Sequence, residues 1–145
     1  MNITFKKISA EKESEAFALL ESQRLPTNDI DNQVVLFSLE SDGKIIATAG
    51  LEQYGYIGLL RSVGVLETEK GNGYGCLIVK YLEEYAKKNK INEMFLLTLT
   101  AKDFFEKKCQ YQFVERENVA SEIQNCRQFV STCPSSAVVM KKVLA

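Results

Sequence analysis

The sequence contains no histidine, and its four cysteines, Cys76, Cys109, Cys126 and Cys133, lack the close paired spacing of a metal site. Zinc coordination and a Cys-His nucleophile pair are therefore not expected, because the chain does not supply their ligands or base. The thiols read as small buried apolar residues of a reducing compartment. An excess of one charge is also missing: 18 Lys and Arg stand against 19 Asp and Glu, a formal net charge of −1. That balance gives no electrostatic case for nucleic acid or for an anionic membrane. No apolar run is long enough to span a bilayer, and residues 1–8 alternate polar and apolar side chains where a secretory leader carries an apolar block. A cytoplasmic protein is the expectation, and 145 residues suit one domain with a real core.

What is present is an apolar strand over 57–65, a turn Lys70-Gly71-Asn72-Gly73-Tyr74-Gly75-Cys76, and an amphipathic helix beginning near Leu77. Glycines at alternate positions let successive backbone N–H groups converge, and a following helix adds unpaired donors and the positive end of its dipole. Phosphate is the natural guest of such a turn. Leu77, Ile78, Tyr81, Leu82, Tyr85 and Ala86 fall on one helical face, with Lys80, Glu83, Glu84, Lys87 and Lys88 opposite. Asn89 and Asn92 mark the expected end of the helix. A Walker A loop is excluded because Cys76 and Leu77 follow Gly75 where Lys and Ser or Thr are required. The dinucleotide fingerprint lacks its acidic residue at the end of a second strand. A third pattern fits: a Gln, Arg or here Lys70, two residues, Gly73, one residue, and Gly75. A ligand-free strand-to-helix turn is the plain alternative.

Around this unit, 2–8 reads as a strand, and Ser9 can cap a helix that ends near Arg24. Residues 34–39 and 45–51 are β-rich and joined through Asp42-Gly43, a hairpin signal. Residues 94–99 form a strand that a crossover should pair parallel to 57–65. A short helix over 100–108, a strand over 111–115, a helix over 118–130, a turn at Cys133-Pro134-Ser135-Ser136 and a last strand over 137–143 complete the reading. The expected fold class is α+β: a mixed, mostly antiparallel sheet with one parallel pair and helices on both faces.

The Lys70, Gly73, Gly75 turn between strand and helix resembles the acyl-CoA pyrophosphate loop of the GCN5-related N-acetyltransferases, the GNAT superfamily. Ala101, Phe104, Phe105, Glu106 and Lys107 are similar to a second segment of that family, and the resemblance spans essentially the whole chain. It implies acetyl-CoA as cofactor. The backbone of Val63, Gly64 and Val65 would meet the pantetheine arm, and Lys70, Gly71, Asn72, Gly73, Tyr74 and Gly75 would hold the phosphates. Phe104 and Lys107 would lie on the cofactor side of the following helix, with a core role for Phe104 and a solvated one for Lys107 as the plain readings. Phe105 stands where the family often has a tyrosine that protonates the leaving thiolate, and Cys109-Gln110-Tyr111 replaces a glycine turn. Leu25-Pro26-Thr27, Gly50-Leu51-Glu52 and Leu60-Arg61-Ser62 are similar to a subgroup described as arsenic-resistance N-acetyltransferases. The implied activity is acetyl transfer to a small-molecule amine, without nucleic acid or membrane partners, and a homodimer is allowed. A catalytically silent acyl-CoA-binding module is the alternative.

Within that frame Arg61, on a central strand, shares a face with Leu59, Val63 and Val65 by simple alternation and requires a partner. It either grips an oxyanion of the acceptor or pairs with an internal acid such as Glu52. Glu52 is the first candidate to bind or deprotonate the amine, against an ordinary strand-end carboxylate. Ser62 and Tyr54 are further candidates beside it. Freeing an α-amino group of pKa about 7.8 at pH 7 costs about 1.1 kcal/mol, against about 4.6 kcal/mol for a lysine side chain of pKa about 10.4. With no histidine, an amino-acid-like acceptor is the easier substrate.

Overall fold

The computed structural model describes residues 3–126 and 137–144. Seven strands form one sheet in the order β1-β2-β3-β4-β5-β7-β6. They are β1 (Ile3–Lys7), β2 (Val34–Ser41), β3 (Lys44–Tyr54), β4 (Ile57–Val65), β5 (Glu93–Thr98), β6 (Gln112–Val114) and β7 (Val138–Val143). Every neighbouring pair is antiparallel except β4 and β5. The β2–β3 hairpin turns on Asp42 and Gly43, both at positive φ (53° and 82°), the geometry that matches strand twist in a two-residue loop.

The parallel ladder is short. Ile57, Gly58 and Leu59 of β4 pair with Glu93, Met94 and Phe95 of β5, and the register ends there, so the remainder of the two strands parts. The crossover between them is α2 (Tyr74–Lys88), which buries Ile78, Val79, Leu82 and Ala86 against Phe37, Leu39, Leu51, Leu60 and Met94. The helix starts three residues before the expected Leu77, because Gly73 takes the left-handed N-cap position at φ 83° and winding begins at Tyr74. Asn89 caps its end as expected.

On the opposite face, α1 (Glu13–Ser22) sets Ala16 and Leu19 beside Ile45, and a separate cluster joins Leu59, Phe95 and Val139 to Val119 and Ile123. A short 3-10 turn over Ala10–Lys12 precedes α1, and Ser9 makes no side-chain cap there, contrary to expectation. α3 (Lys102–Lys108) follows β5. Of the helix expected over 118–130, the described part contains α4 (Ser121–Gln124) after a 3-10 turn at Arg116–Asn118. Residues 127–130 and the turn containing Cys133, Ser135 and Ser136 lie outside the described residues.

Glu83, assigned to the solvent face of α2 by periodicity, is buried. Its carboxylate accepts from the Tyr111 hydroxyl at 2.9 Å and from Lys142 Nζ at 2.9 Å. Tyr81 moves the other way, lying 44% exposed and stacked on Phe5. The Lys142 and Tyr111 partners draw Glu83 into the interior, so the buried arc of α2 differs from a simple hydrophobic stripe.

Candidate active site

The crevice between the diverging ends of β4 and β5 is shaped by a bulge in β4. Thr48 of β3 opposes Gly64 and Gly50 opposes Arg61, so the single residue Ala49 faces both Ser62 and Val63. Ser62 adopts a left-handed φ of 56°, and its carbonyl accepts the Thr48 hydroxyl at 2.9 Å. The extra residue reverses side-chain parity. Leu59 stays in the cluster opposite α2, whereas Val63 and Val65 pack into the core beneath α2. Arg61 therefore does not share a face with Val63 and Val65, as strict alternation implied.

Beyond β4 the chain makes a 3-10 turn at Glu67–Glu69, extends at Lys70, and passes Gly71 and Gly73 at φ 87° and 83° into α2. No side chain caps this helix and its first turn carries no acid, which leaves N–H donors and a positive dipole end uncompensated by the protein. Gly75 is buried, and a Cβ there would stand 3.2 Å from Phe104 Cζ and 3.5 Å from Val65 Cγ2. The backbone of the first turn is thus approached closely by Phe104 of α3 and Val65 of β4. Exposed Lys70 reaches Glu67 at 3.5 Å, and Asn72 Nδ2 donates to the Glu69 carbonyl at 3.2 Å. Lys107 is exposed on α3. Phe105 turns inward, edge-on to both Phe104 and Tyr111, so it occupies core space and offers no proton.

Arg61 is 4% exposed, and its guanidinium spans two carboxylates. Nη1 donates to Glu52 Oε2 at 2.7 Å, Nη2 to Asp29 Oδ1 at 2.5 Å, and Nε to Ser62 Oγ at 3.2 Å. Burial disfavours its charge, but the hydrogen bonds to Asp29 and Glu52 outweigh that and hold its pKa above the ordinary value. Glu52 also accepts the Tyr54 hydroxyl, and burial followed by that carboxylate raises the Tyr54 phenol. The internal-acid pairing considered for Arg61 is therefore present. Gly50 makes it possible: a Cβ there would lie 3.3 Å from Arg61 Cγ.

The fold brings Glu52, Tyr54, Arg61 and Ser62 into one buried network beside the bulge, and places the 70–75 turn at its downstream end. Asp29 was not singled out in the sequence, where it falls in the 25–30 connection that the GNAT resemblance sets beside the acceptor pocket. Its signal was stoichiometric, since a buried guanidinium with five donors is poorly served by one carboxylate.

A mostly antiparallel sheet with one parallel pair, parting before a glycine turn and a helix, is the fold expected from the GNAT resemblance. The chain belongs to the acetyltransferase (GNAT) family, whose model matches residues 4–111. The matched segment is accordingly an acetyltransferase domain of that family. No curated protein matches the sequence significantly. Among solved structures, N-acetylglutamate synthase from Neisseria gonorrhoeae, complexed with coenzyme A and N-acetyl-glutamate, aligns with a TM-score of 0.84 at 15% identity. That alignment covers 100% of this chain and 36% of that one. A GNAT-family acetyltransferase from Staphylococcus aureus Mu50 aligns with a TM-score of 0.77 at 13% identity, covering 99% and 100% of the two chains. The ribosomal-protein-S18-alanine N-acetyltransferase from Escherichia coli gives 0.77 at 12% identity, covering 99% and 95%. Among the described residues no helix is long and apolar enough to cross a membrane, and no group of His, Cys, Asp or Glu could hold a metal ion.

Proposed function

We propose that the chain acetylates the amine of a small amino-acid-like acceptor, with arsenical and phosphinic amino acids within the class. The observation that carries this reading is the continuity of the Ser62 bulge, the parted β4 and β5 strands and the uncapped turn before α2. Nothing lies within 4 Å of a Cβ built at Gly71 or Gly73, so the backbone of the turn is open to a phosphate-bearing chain.

Bound acetyl-CoA supplies a thioester carbonyl open to attack by an amine. Backbone groups of Val63, Gly64 and Val65 would receive the pantetheine arm, and an N–H of this stretch would serve as donor to the thioester carbonyl. The amides of 70–75 would hold the pyrophosphate, with Phe104 beside the turn and Lys107 available to an outer phosphate. Tyr54, Glu52, Arg61 and Ser62 define the acceptor side, where Glu52 supplies negative charge for the incoming amine and Arg61 keeps that carboxylate oriented. Holding the two reactants together contributes on the order of 7–11 kcal/mol. One oxyanion donor adds roughly 2.7–4 kcal/mol. Acid–base assistance, about 10² to 10⁴-fold, is the smaller contribution, which suits a site whose α3 bears Phe105 and whose Tyr111 hydroxyl is committed to Glu83. The amino-acid class is supported by the low cost of freeing an α-amino group in a chain without histidine and by the N-acetyl-glutamate in the structure with TM-score 0.84. A cytoplasmic setting and a homodimer are consistent with this reading.

The test is loss of thioester absorbance from acetyl-CoA over a panel of α-amino acids, their phosphinic and arsonic analogues, polyamines and a lysine peptide. Turnover is expected with the α-amino class. Acetyl-CoA at 100 times its Kd should also stabilise the fold by about 2.7 kcal/mol. Stabilisation without turnover on any member would overturn the acceptor class and favour a silent acyl-CoA-binding module.

A further inference from the structure

We infer that Asp29 is a positioning residue for acetyl transfer, acting through Arg61 to hold the Ser62 bulge in its reactive shape. The inference rests on the reading of the bulge as the acyl site. Asp29 lies on the loop between α1 and β2 and is buried, with Oδ1 2.5 Å from Arg61 Nη2. Glu52 holds Nη1 of the same guanidinium from β3, so two carboxylates on different elements fix its plane. A planar fork held at two corners has its third donor, Nε, aimed as well, and that donor meets Ser62 Oγ. Ser62 is the residue at left-handed φ, a conformation that persists in a non-glycine residue when its surroundings over-determine it. Thr48 restrains its carbonyl and Arg61 its hydroxyl. The same loop also touches the downstream side of the bulge, since Leu25 Cδ1 would stand 3.5 Å from a Cβ on Gly64. The α1–β2 loop therefore contacts both ends of the segment Arg61-Ser62-Val63-Gly64, and Asp29 is a charged hold of that loop on Arg61.

Asp29→Asn keeps the size of the side chain and removes its charge. With an acceptor on which the parent protein turns over, kcat should fall by about 10 to 100-fold, the scale of a small misplacement of reacting groups. In amide NMR spectra the Ser62 and Val63 signals should shift and those of Gly71, Gly73 and Gly75 should not. The double variant Asp29→Asn with Ser62→Ala should lose little more activity than either single variant. Unmoved Ser62 and Val63 signals, a kcat loss that merely follows the folded fraction, or fully additive losses would overturn the role. Absence of turnover in the parent protein would instead count against the proposed function, and the NMR comparison would still decide whether Asp29 sets the bulge.

Discussion

Truncating Arg61 would leave the carboxylates of Asp29 and Glu52 facing one another in a site from which water is almost wholly removed. Breaking a buried pair from one side typically costs about 3–5 kcal/mol, a large share of a domain's stability. Arg61→Ala should therefore lower the urea midpoint sharply, and any rise in KM for the acceptor should be accompanied by that loss. Arg61→Lys should restore only part of it, because one ammonium cannot span Asp29, Glu52 and Ser62 at the observed separations. A full recovery of stability by lysine would show that charge alone matters and that the fork geometry does not. Arg61 was legible as a residue needing a partner, and Glu52 as a candidate for it. Asp29 was not, since a loop residue 32 positions upstream carries no periodicity to follow.

At the scale of the element, the first turn of α2 depends on backbone being left bare. Gly73 supplies the left-handed cap, and Gly75 admits Phe104 and Val65 against the helix. Gly75→Ala sets a methyl 3.2 Å from an aromatic carbon, so the helix start and α3 must separate by a few tenths of an ångström. Overpacking of this kind costs about 1–3 kcal/mol. The expected outcome is a several-fold increase in KM for acetyl-CoA with KM for the acceptor unchanged, measured by varying each substrate in turn. An unchanged KM for acetyl-CoA would detach this turn from the cofactor. The succession of strand, glycine turn and helix was readable because each part is local. Its start was displaced because a left-handed glycine can serve as N-cap without any of the usual capping side chains.

At the scale of the whole molecule, Glu83 ties α2 to β7 through Lys142 and to Tyr111 before β6, with Cys109 buried beside this contact. Burial first, then the neighbouring Cys76 and Glu83, push the Cys109 thiol from 9.0 up to about 12. Burial and then Glu83 likewise raise the Tyr111 phenol above its ordinary 10.0. Both groups are neutral in the folded protein at pH values where the unfolded chain ionises. The Cys109 contribution is complete below pH 9 and is lost as pH rises toward about 12, and that of Tyr111 is lost as pH rises above 10. The urea midpoint should stay level to pH 8 and fall between pH 9 and 11, and Cys109→Ala should flatten the first part of that fall. A midpoint unaffected by that substitution across the range would remove Cys109 from the effect.

The sequence by itself determined the elements whose signals are local: the Asp42-Gly43 hairpin, the β4 strand, the glycine turn, the apolar core of α2 and the parallel crossover that follows from joining two strands through a helix. It also limited the chemistry, since a chain without histidine must bind its reactants well or use carboxylates. Tertiary structure alone decided the parity of β4, because one extra residue at Ser62 and Val63 sends the following valines to the other side of the sheet. It likewise decided that Glu83 is interior and that Asp29 meets Arg61. Those outcomes depend on which distant groups arrive at the same place, and a buried charge is placed by its partners rather than by the periodicity of its own element.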